Sequence, residues 1–159
     1  MHSKGSSLPL SELLPVIREV LAKGGEFELH PHGSSMLPTI REGRDTVMLT
    51  AITAPPKRGD LLLYRRDSGT LVLHRVVRVE TDATLTMRGD NQYFTERGIR
   101  EDQLIATVKR YFRDGKEIRT DSRRAHFYRA RRTFTFPFRR VAHALFGRIK
   151  RLFQGGQHG

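Results

Sequence analysis

The 159-residue sequence contains no cysteine and no tryptophan, and only 8% of its residues are aromatic. Without cysteine the chain can form neither disulfide bonds nor thiolate metal sites. Its longest apolar runs, such as Leu61–Leu63 and Leu71–Leu73, are far shorter than the roughly 18 to 20 residues that a membrane-spanning helix needs. The amino terminus lacks an apolar core followed by a cleavage site, so we expect no signal peptide and a cytoplasmic location.

Acidic residues are absent from one long region near the carboxyl terminus. From Arg123 to Arg151 the chain has ten lysines or arginines and no aspartate or glutamate, and this region carries most of the net charge of +12. Such a block is typical of a surface that contacts phosphates, either in nucleic acid or in anionic lipid. A solvated basic tail has the same composition, so both interpretations stay open.

The residues that are present are sufficient for one hydrophobic core, since 37% of them are apolar. Apolar residues between Leu10 and Leu21 recur at helical spacing, and Lys23-Gly24-Gly25 is typical of a helix end. From Glu26 onward the period changes to two, which predicts a mainly β domain of small folded-sheet or barrel type. The predicted strands are Glu26–His30, Thr46–Ile52, Asp60–Arg65, Thr70–Glu80, Ala83–Arg88, Leu104–Phe112 and, after an Asp-Gly turn, Lys116–Arg119.

A second amphipathic helix is predicted near the carboxyl terminus. One of its faces is apolar and the other is basic, a pattern that suits a membrane surface and equally suits packing on the β domain. We therefore divide the chain into a disordered tail (1–7), a β domain with its amino-terminal helix (8–120) and a basic amphipathic extension (121–159). The apolar face consists of Val141, Leu145, Ile149, Leu152 and Phe153.

Three segments carry residues with potential chemistry. In GSSMLPTIREGRD (33–45), a constrained turn can fix the direction of the Ser35 hydroxyl, which is a weak nucleophile unless a base takes its proton. In TLVLHRVVRVE, alternation places His74 among valines, shielded from water and largely neutral near pH 7. In TMRGDNQYFTERG, either Asp90 or Glu96 could orient the imidazole. Each residue alone is also compatible with a structural role.

The segments GSSMLPTIREGRD, KRGDLLLY, LVLHRVV and MRGDNQ, in this order, resemble the signal peptidase I/LexA-like superfamily of serine peptidases. The resemblance covers roughly residues 26–112 and implies a peptidase fold of that type. In that superfamily the Ser-Met-x-Pro segment carries the nucleophile, which matches Ser35. The base is a lysine in one branch and a histidine in the endoplasmic-reticulum and archaeal-type branch, which His74 matches. Lys57 lies in a Pro-Pro-Lys-Arg loop that we expect to be exposed, and we do not take it as the base.

The resemblance also implies an assisting acid. Residue matching places Asp90 on the aspartate of the Gly-Asp-Asn box, and Glu96 on a second acidic position where relatives have aspartate. We prefer Asp90 and keep Glu96 as the alternative. Gly33 is a further departure, because relatives often have there a serine that assists the oxyanion hole. This leaves the Ser35 N–H, with Ser34, to hold the oxyanion.

Together these features predict a serine endopeptidase that cleaves a leader-like or signal-like segment of a peptide or protein, without cofactor or metal. It would be cytoplasmic, or it would lie at the inner face of a membrane, where the segment Arg123–Phe153 would bind the anionic surface. Two alternatives are kept: a nucleic-acid-associated regulator that uses the basic segment, and an inactive peptidase-like binding module.

Overall fold

A computed structural model describes residues 10–120, which lie within the first of the two units of the chain, Met1–Asp121 and Ser122–Gly159. These residues form one amino-terminal helix and an eight-stranded antiparallel sheet, so the predicted mainly β architecture with a leading helix is confirmed. In chain order the elements are α1 (Leu10–Ala22), β1 (Phe27–Leu29), β2 (Asp45–Thr50), β3 (Leu61–Arg65), β4 (Leu71–Val79), β5 (Leu85–Arg88), β6 (Glu96–Ile99), a 3₁₀ turn (Glu101–Gln103), β7 (Leu104–Arg113) and β8 (Lys116–Arg119).

The sheet follows the order β1-β2-β7-β3-β4-β5-β6. The long strand β7 pairs with β2 along one side, and with β3 and then β8 along the other. Register shifts interrupt several of these ladders, a feature that bends strands and increases their twist. Within residues 10–120 no pairing joins β1 to β6, so the sheet is open and is not a closed barrel.

Two hydrophobic clusters lie on opposite faces of the central strands. Leu61 and Leu63 of β3 belong to the first cluster, whereas Leu62 and Tyr64 belong to the second, as strand alternation requires. All four side chains are at most 1% exposed, so β3 is covered on both faces. The first cluster also contains Ile17 and Leu21 of α1, Met36 and Ile40 of the loop between β1 and β2, and Val47, Leu49 and Val108. The second cluster also contains Val76, Leu85 and Met87.

The observed strands agree with the predicted ones to within two residues at each end, with one exception. Strand β6 was not predicted, because only Ile99 of its four residues is buried and Gly98 has a positive φ of 71°. Its sequence therefore has no apolar alternation. The helix ends at Ala22, as Lys23-Gly24-Gly25 indicated. The predicted disordered tail and the predicted carboxyl-terminal helix both lie outside the described residues.

Candidate active site

His74 lies in the middle of β4, opposite Leu62 of β3, and its side chain is completely buried. It shares a sheet face with Val76, so the shielding expected from the sequence is present. Burial lowers the pKa of His74 below the ordinary imidazole value, and the opposing charge of Glu96 only partly compensates. The imidazole is therefore neutral near pH 7 and can accept a proton.

The Nδ1 atom of His74 faces two oxygen atoms. Glu96 Oε1 lies 3.3 Å from it, and the Tyr64 hydroxyl oxygen lies 3.1 Å from it. Glu96 belongs to β6, which reaches this position because β5 pairs with β4 on one side and with β6 on the other. The arrangement places a carboxylate directly beside one nitrogen of a buried imidazole.

Arg66, directly after β3, holds the Glu96 carboxylate with two hydrogen bonds. Its Nε donates to Oε2 at 2.7 Å and its Nη2 donates to Oε1 at 2.5 Å. Burial by itself raises the pKa of Glu96, but hydrogen bonds from Arg66 and Tyr64 outweigh it and hold that pKa below the ordinary carboxyl value. Glu96 is therefore ionised near neutral pH and accepts hydrogen bonds without donating any.

The other ring nitrogen of His74, Nε2, is buried and has no hydrogen-bond partner among residues 10–120. A neutral imidazole carries one N–H, and a carboxylate beside Nδ1 favours the tautomer with the proton on that atom. In that tautomer the lone pair is on Nε2. Buried polar atoms without a partner are uncommon in folded proteins, and in the tautomer with the proton on Nδ1 this one can accept a proton.

The serine turn is anchored by its apolar residues. Met36 and Ile40 are buried in the first cluster, and the Ile40 N–H donates to the Met36 carbonyl at 3.0 Å. The Leu37 N–H donates to the Ser34 carbonyl at 3.2 Å, so the chain curls tightly around Ser35, which is half-buried. Two buried side chains thus fix the backbone that carries the hydroxyl.

The turn touches the loop after β5 through the backbone of Ser35. The Ser35 carbonyl accepts a hydrogen bond from the Asn91 N–H at 2.7 Å. A Cβ atom added to Gly89 would lie only 2.7 Å from the same oxygen, so any larger residue at position 89 would displace the turn. The glycine of the Gly-Asp-Asn segment is required by this close approach.

The register of β4 and β5, extended by one residue beyond the end of β5, puts this contact on the face of His74. Arg75 pairs with Arg88, and continuing the pairing by one residue sets Gly89 opposite His74. Residues opposite each other in an antiparallel pair share a face, with Cβ atoms about 5 Å apart. The Ser35 backbone therefore covers Gly89 on the side to which the imidazole points. No hydrogen bond joins the Ser35 hydroxyl to Nε2 in the described part of the chain.

The Asp90 carboxylate has different hydrogen-bond partners from the Glu96 carboxylate. Its carboxylate accepts two hydrogen bonds from Arg75, at 2.9 and 2.8 Å, and one from the Thr39 hydroxyl. Arg75 follows His74 in β4, so its side chain projects to the opposite face of the sheet. Asp90 thereby ties the serine turn, through Thr39, to the strand that carries the histidine. Its negative charge also raises the pKa of His74, but less than that of Glu96 does.

Sequence reasoning did not identify Tyr64, Arg66, Thr39 or Arg75 as parts of this region. Alternation in GDLLLYRR does place Tyr64 on the same face as Leu62. Which side chains lie beside it on that face depends on the strand pairing, which the sequence does not reveal. Lys57 is exposed, in agreement with its rejection as a base.

Gly33, where a serine was noted as missing, has a positive φ of 87° and donates its N–H to Glu42 at 2.9 Å. A serine at that position would adopt a strained backbone conformation.

Among the described residues no group of three or more histidine, aspartate or glutamate side chains is arranged to bind a metal ion. In the same part of the chain there is no helix with the length and apolar character needed to cross a membrane. Comparison with family models and with curated proteins finds no match for this chain.

Proposed function

We propose that the protein is a serine endopeptidase in which Ser35 is the nucleophile, His74 the base and Glu96 the carboxylate that orients the imidazole. One observation carries the proposal: the buried imidazole has a carboxylate oxygen 3.3 Å from Nδ1 and no partner on Nε2. A Ser–His–acid mechanism needs this combination, because the acid fixes the tautomer while the opposite nitrogen takes the proton.

The reaction follows from these positions. The Ser35 oxygen attacks the peptide carbonyl while His74 Nε2 takes the hydroxyl proton, and the Glu96 carboxylate stabilises the resulting imidazolium. The Ser35 N–H has no hydrogen-bond partner within residues 10–120, so it can donate to the oxyanion. His74 then protonates the leaving amine. A water molecule, deprotonated by the same nitrogen, hydrolyses the acyl-enzyme.

This assignment gives Asp90 and Glu96 roles opposite to the sequence-based preference. Glu96 lies against Nδ1, whereas the hydrogen bonds of Asp90 to Arg75 and Thr39 hold the turn in place. We therefore treat Asp90 as a positioning residue. Its proposed role is to hold, through Thr39, the turn that carries Ser35, and in the proposed mechanism a movement of this turn brings the hydroxyl to Nε2.

The substrate proposed is an extended peptide, of the leader-like or signal-like class that the sequence resemblance implies. An extended segment can pair with the edge of an open sheet, and β6, which carries Glu96, is one edge of this sheet. The cytoplasmic or peripheral membrane location and the role of Arg123–Phe153 rest on the sequence alone, because that segment lies outside the described residues.

The test is cleavage of a library of internally quenched peptides by the full chain. Ser35→Ala and His74→Gln should each abolish cleavage, and a fluorophosphonate should label Ser35 in the wild type but not in Ser35→Ala. Ser68→Ala is the matched control, since Ser68 is an exposed serine in the turn between β3 and β4. Cleavage that survives in Ser35→Ala at wild-type rate excludes the mechanism.

A further inference from the structure

Two groups compete for the Nδ1 atom of His74, and their competition decides whether the imidazole is a base. If Nδ1 carries the proton, it donates to Glu96 and the Nε2 lone pair is available. If the Tyr64 hydroxyl donates to Nδ1 instead, the proton must be on Nε2, and that nitrogen cannot accept a proton from Ser35. Both oxygens lie within 3.3 Å of Nδ1.

Tyr64 is always able to compete. Its side chain is fully buried in β3, and burial raises the pKa of Tyr64, so the hydroxyl keeps its proton throughout the physiological range. Glu96 is less confined, because it belongs to an edge strand and its side chain is 18% exposed. Without a hydrogen-bond donor to hold it, a carboxylate in that position can turn toward water, where it is better solvated.

Arg66 prevents this by holding both oxygens of Glu96. The two parallel hydrogen bonds fix the plane of the carboxylate as well as its position, which a single contact cannot do. With Glu96 held, its carboxylate is a second acceptor that the Tyr64 proton can use in place of Nδ1, and after burial the interaction with Glu96 is what raises the pKa of Tyr64. The charged or titratable groups that act on His74 are Tyr64, Arg66, Asp90 and Glu96.

We propose that Arg66 is a positioning residue that sets the tautomer of His74: by fixing the Glu96 carboxylate beside Nδ1, it keeps the imidazole proton on Nδ1. The inference rests on the proposed peptidase function for its consequence. The tautomer itself can be measured without any substrate.

The first measurement is nitrogen NMR of the histidine side chains in the full chain. The wild type should show His74 protonated on Nδ1, and Arg66→Gln should shift the population toward the Nε2-protonated form. Adding Tyr64→Phe to Arg66→Gln removes the competing donor and should restore the Nδ1-protonated form. Arg100→Gln is the control, because Arg100 is an exposed arginine that pairs with Asp67 and does not contact Glu96.

An unchanged tautomer in Arg66→Gln overturns the proposal, and so does a double variant that stays protonated on Nε2. Should Arg66→Gln fail to fold, Arg66→Lys replaces it, since one ammonium group cannot fix the plane of a carboxylate. A wild-type tautomer in Arg66→Lys then counts against the proposal in the same way.

The second measurement uses the peptide that the wild type cleaves fastest. Arg66→Gln should lower kcat by about 100-fold with little change in KM, because substrate binding does not involve the tautomer. Tyr64→Phe in that background should recover most of the loss. If instead Ser35→Ala cleaves as well as the wild type, the peptidase function fails while the NMR result on Arg66 stands.

Discussion

Two arginine–carboxylate pairs flank the histidine strand, and they differ in what the carboxylate touches next. Arg75 and Asp90 form one pair on one face of β4, and Arg66 and Glu96 form the other near the face of His74. Both pairs make two hydrogen bonds. In the first, the carboxylate also accepts a hydrogen bond from Thr39 of the serine turn, and in the second it also lies beside the imidazole.

Exposure separates the pairs further. The Arg75 and Asp90 side chains are 12% and 9% exposed, against 36% and 18% for Arg66 and Glu96. The less exposed pair is the more resistant to rearrangement, which suits the support of a turn. In the proposed mechanism the same chemistry supports the nucleophile in one place and orients the base in the other, because adjacent residues of a strand point to opposite faces.

The largest difference between the pairs should appear in activity. Glu96→Gln keeps the size of the side chain but presents an amide to Nδ1, and in serine peptidases the corresponding loss of the acid lowers kcat by about 10⁴-fold. We expect a fall of about 10³- to 10⁴-fold in kcat here, with the enzyme still folded. Steady-state cleavage and circular dichroism measure the two quantities.

Glu101→Gln is the control for that substitution, because Glu101 is an exposed acid in the 3₁₀ turn. Activity within a few-fold of wild type in Glu96→Gln contradicts the assignment of Glu96. If Asp90→Asn shows the 10³-fold loss in its place, the two pairs have exchanged roles and the original preference for Asp90 is correct.

The next effect is one of stability and belongs to the other pair. Asp90→Ala leaves the buried Arg75 guanidinium without its carboxylate, and removing one partner of a buried ion pair costs about 3 to 5 kcal/mol. Glu96→Ala should cost less, since Arg66 is one-third exposed and water can solvate it. Urea unfolding of both variants gives the two free energies. An Asp90→Ala variant as stable as the wild type means that the pair does not support the turn.

The difference between the pairs could be predicted from the sequence only in part. Alternation in TLVLHRVVRVE places His74 and Arg75 on opposite faces, because the direction of a strand side chain is a local property. It also gave most strand limits. The partner of His74 is not local: Glu96 reaches Nδ1 only because β6 pairs with β5 and β5 with β4.

Strand β6 gave no signal of its own, since Arg97 and Gly98 are exposed and Ile99 alone is buried. The Gly-Asp-Asn segment drew attention to Asp90 because its residue types are those of a turn. The contact of Gly89 with Ser35 depends on a carbonyl from a distant segment, which no local pattern encodes. The short four-residue strand and the long-range contacts are therefore what the structure adds.

The smallest expected effect concerns pH, and it compares the two carboxylates at one atom. Because burial lowers the pKa of His74, the acid limb of kcat/KM in the wild type should lie below pH 6.5. Both Glu96 and Asp90 raise this pKa, and Glu96 does so more strongly. Glu96→Gln should therefore move the limb to lower pH, and Asp90→Asn should move it in the same direction by less.

The lowered pKa of His74 also determines how the free energy of unfolding depends on pH. Folded His74 stays neutral at pH values where the unfolded chain binds a proton, so the unfolded state gains a proton first as the pH falls below about 6.5. The free energy of unfolding should decrease from there until the folded imidazole is itself protonated, and His74→Gln should remove this component. An NMR titration of His74 in the wild type, in Glu96→Gln and in Asp90→Asn gives each pKa directly. A larger fall in the pKa of His74 in Asp90→Asn than in Glu96→Gln would mean that Asp90 acts on the imidazole more strongly than Glu96 does. The assignment of different roles to the two arginine–carboxylate pairs would then be wrong.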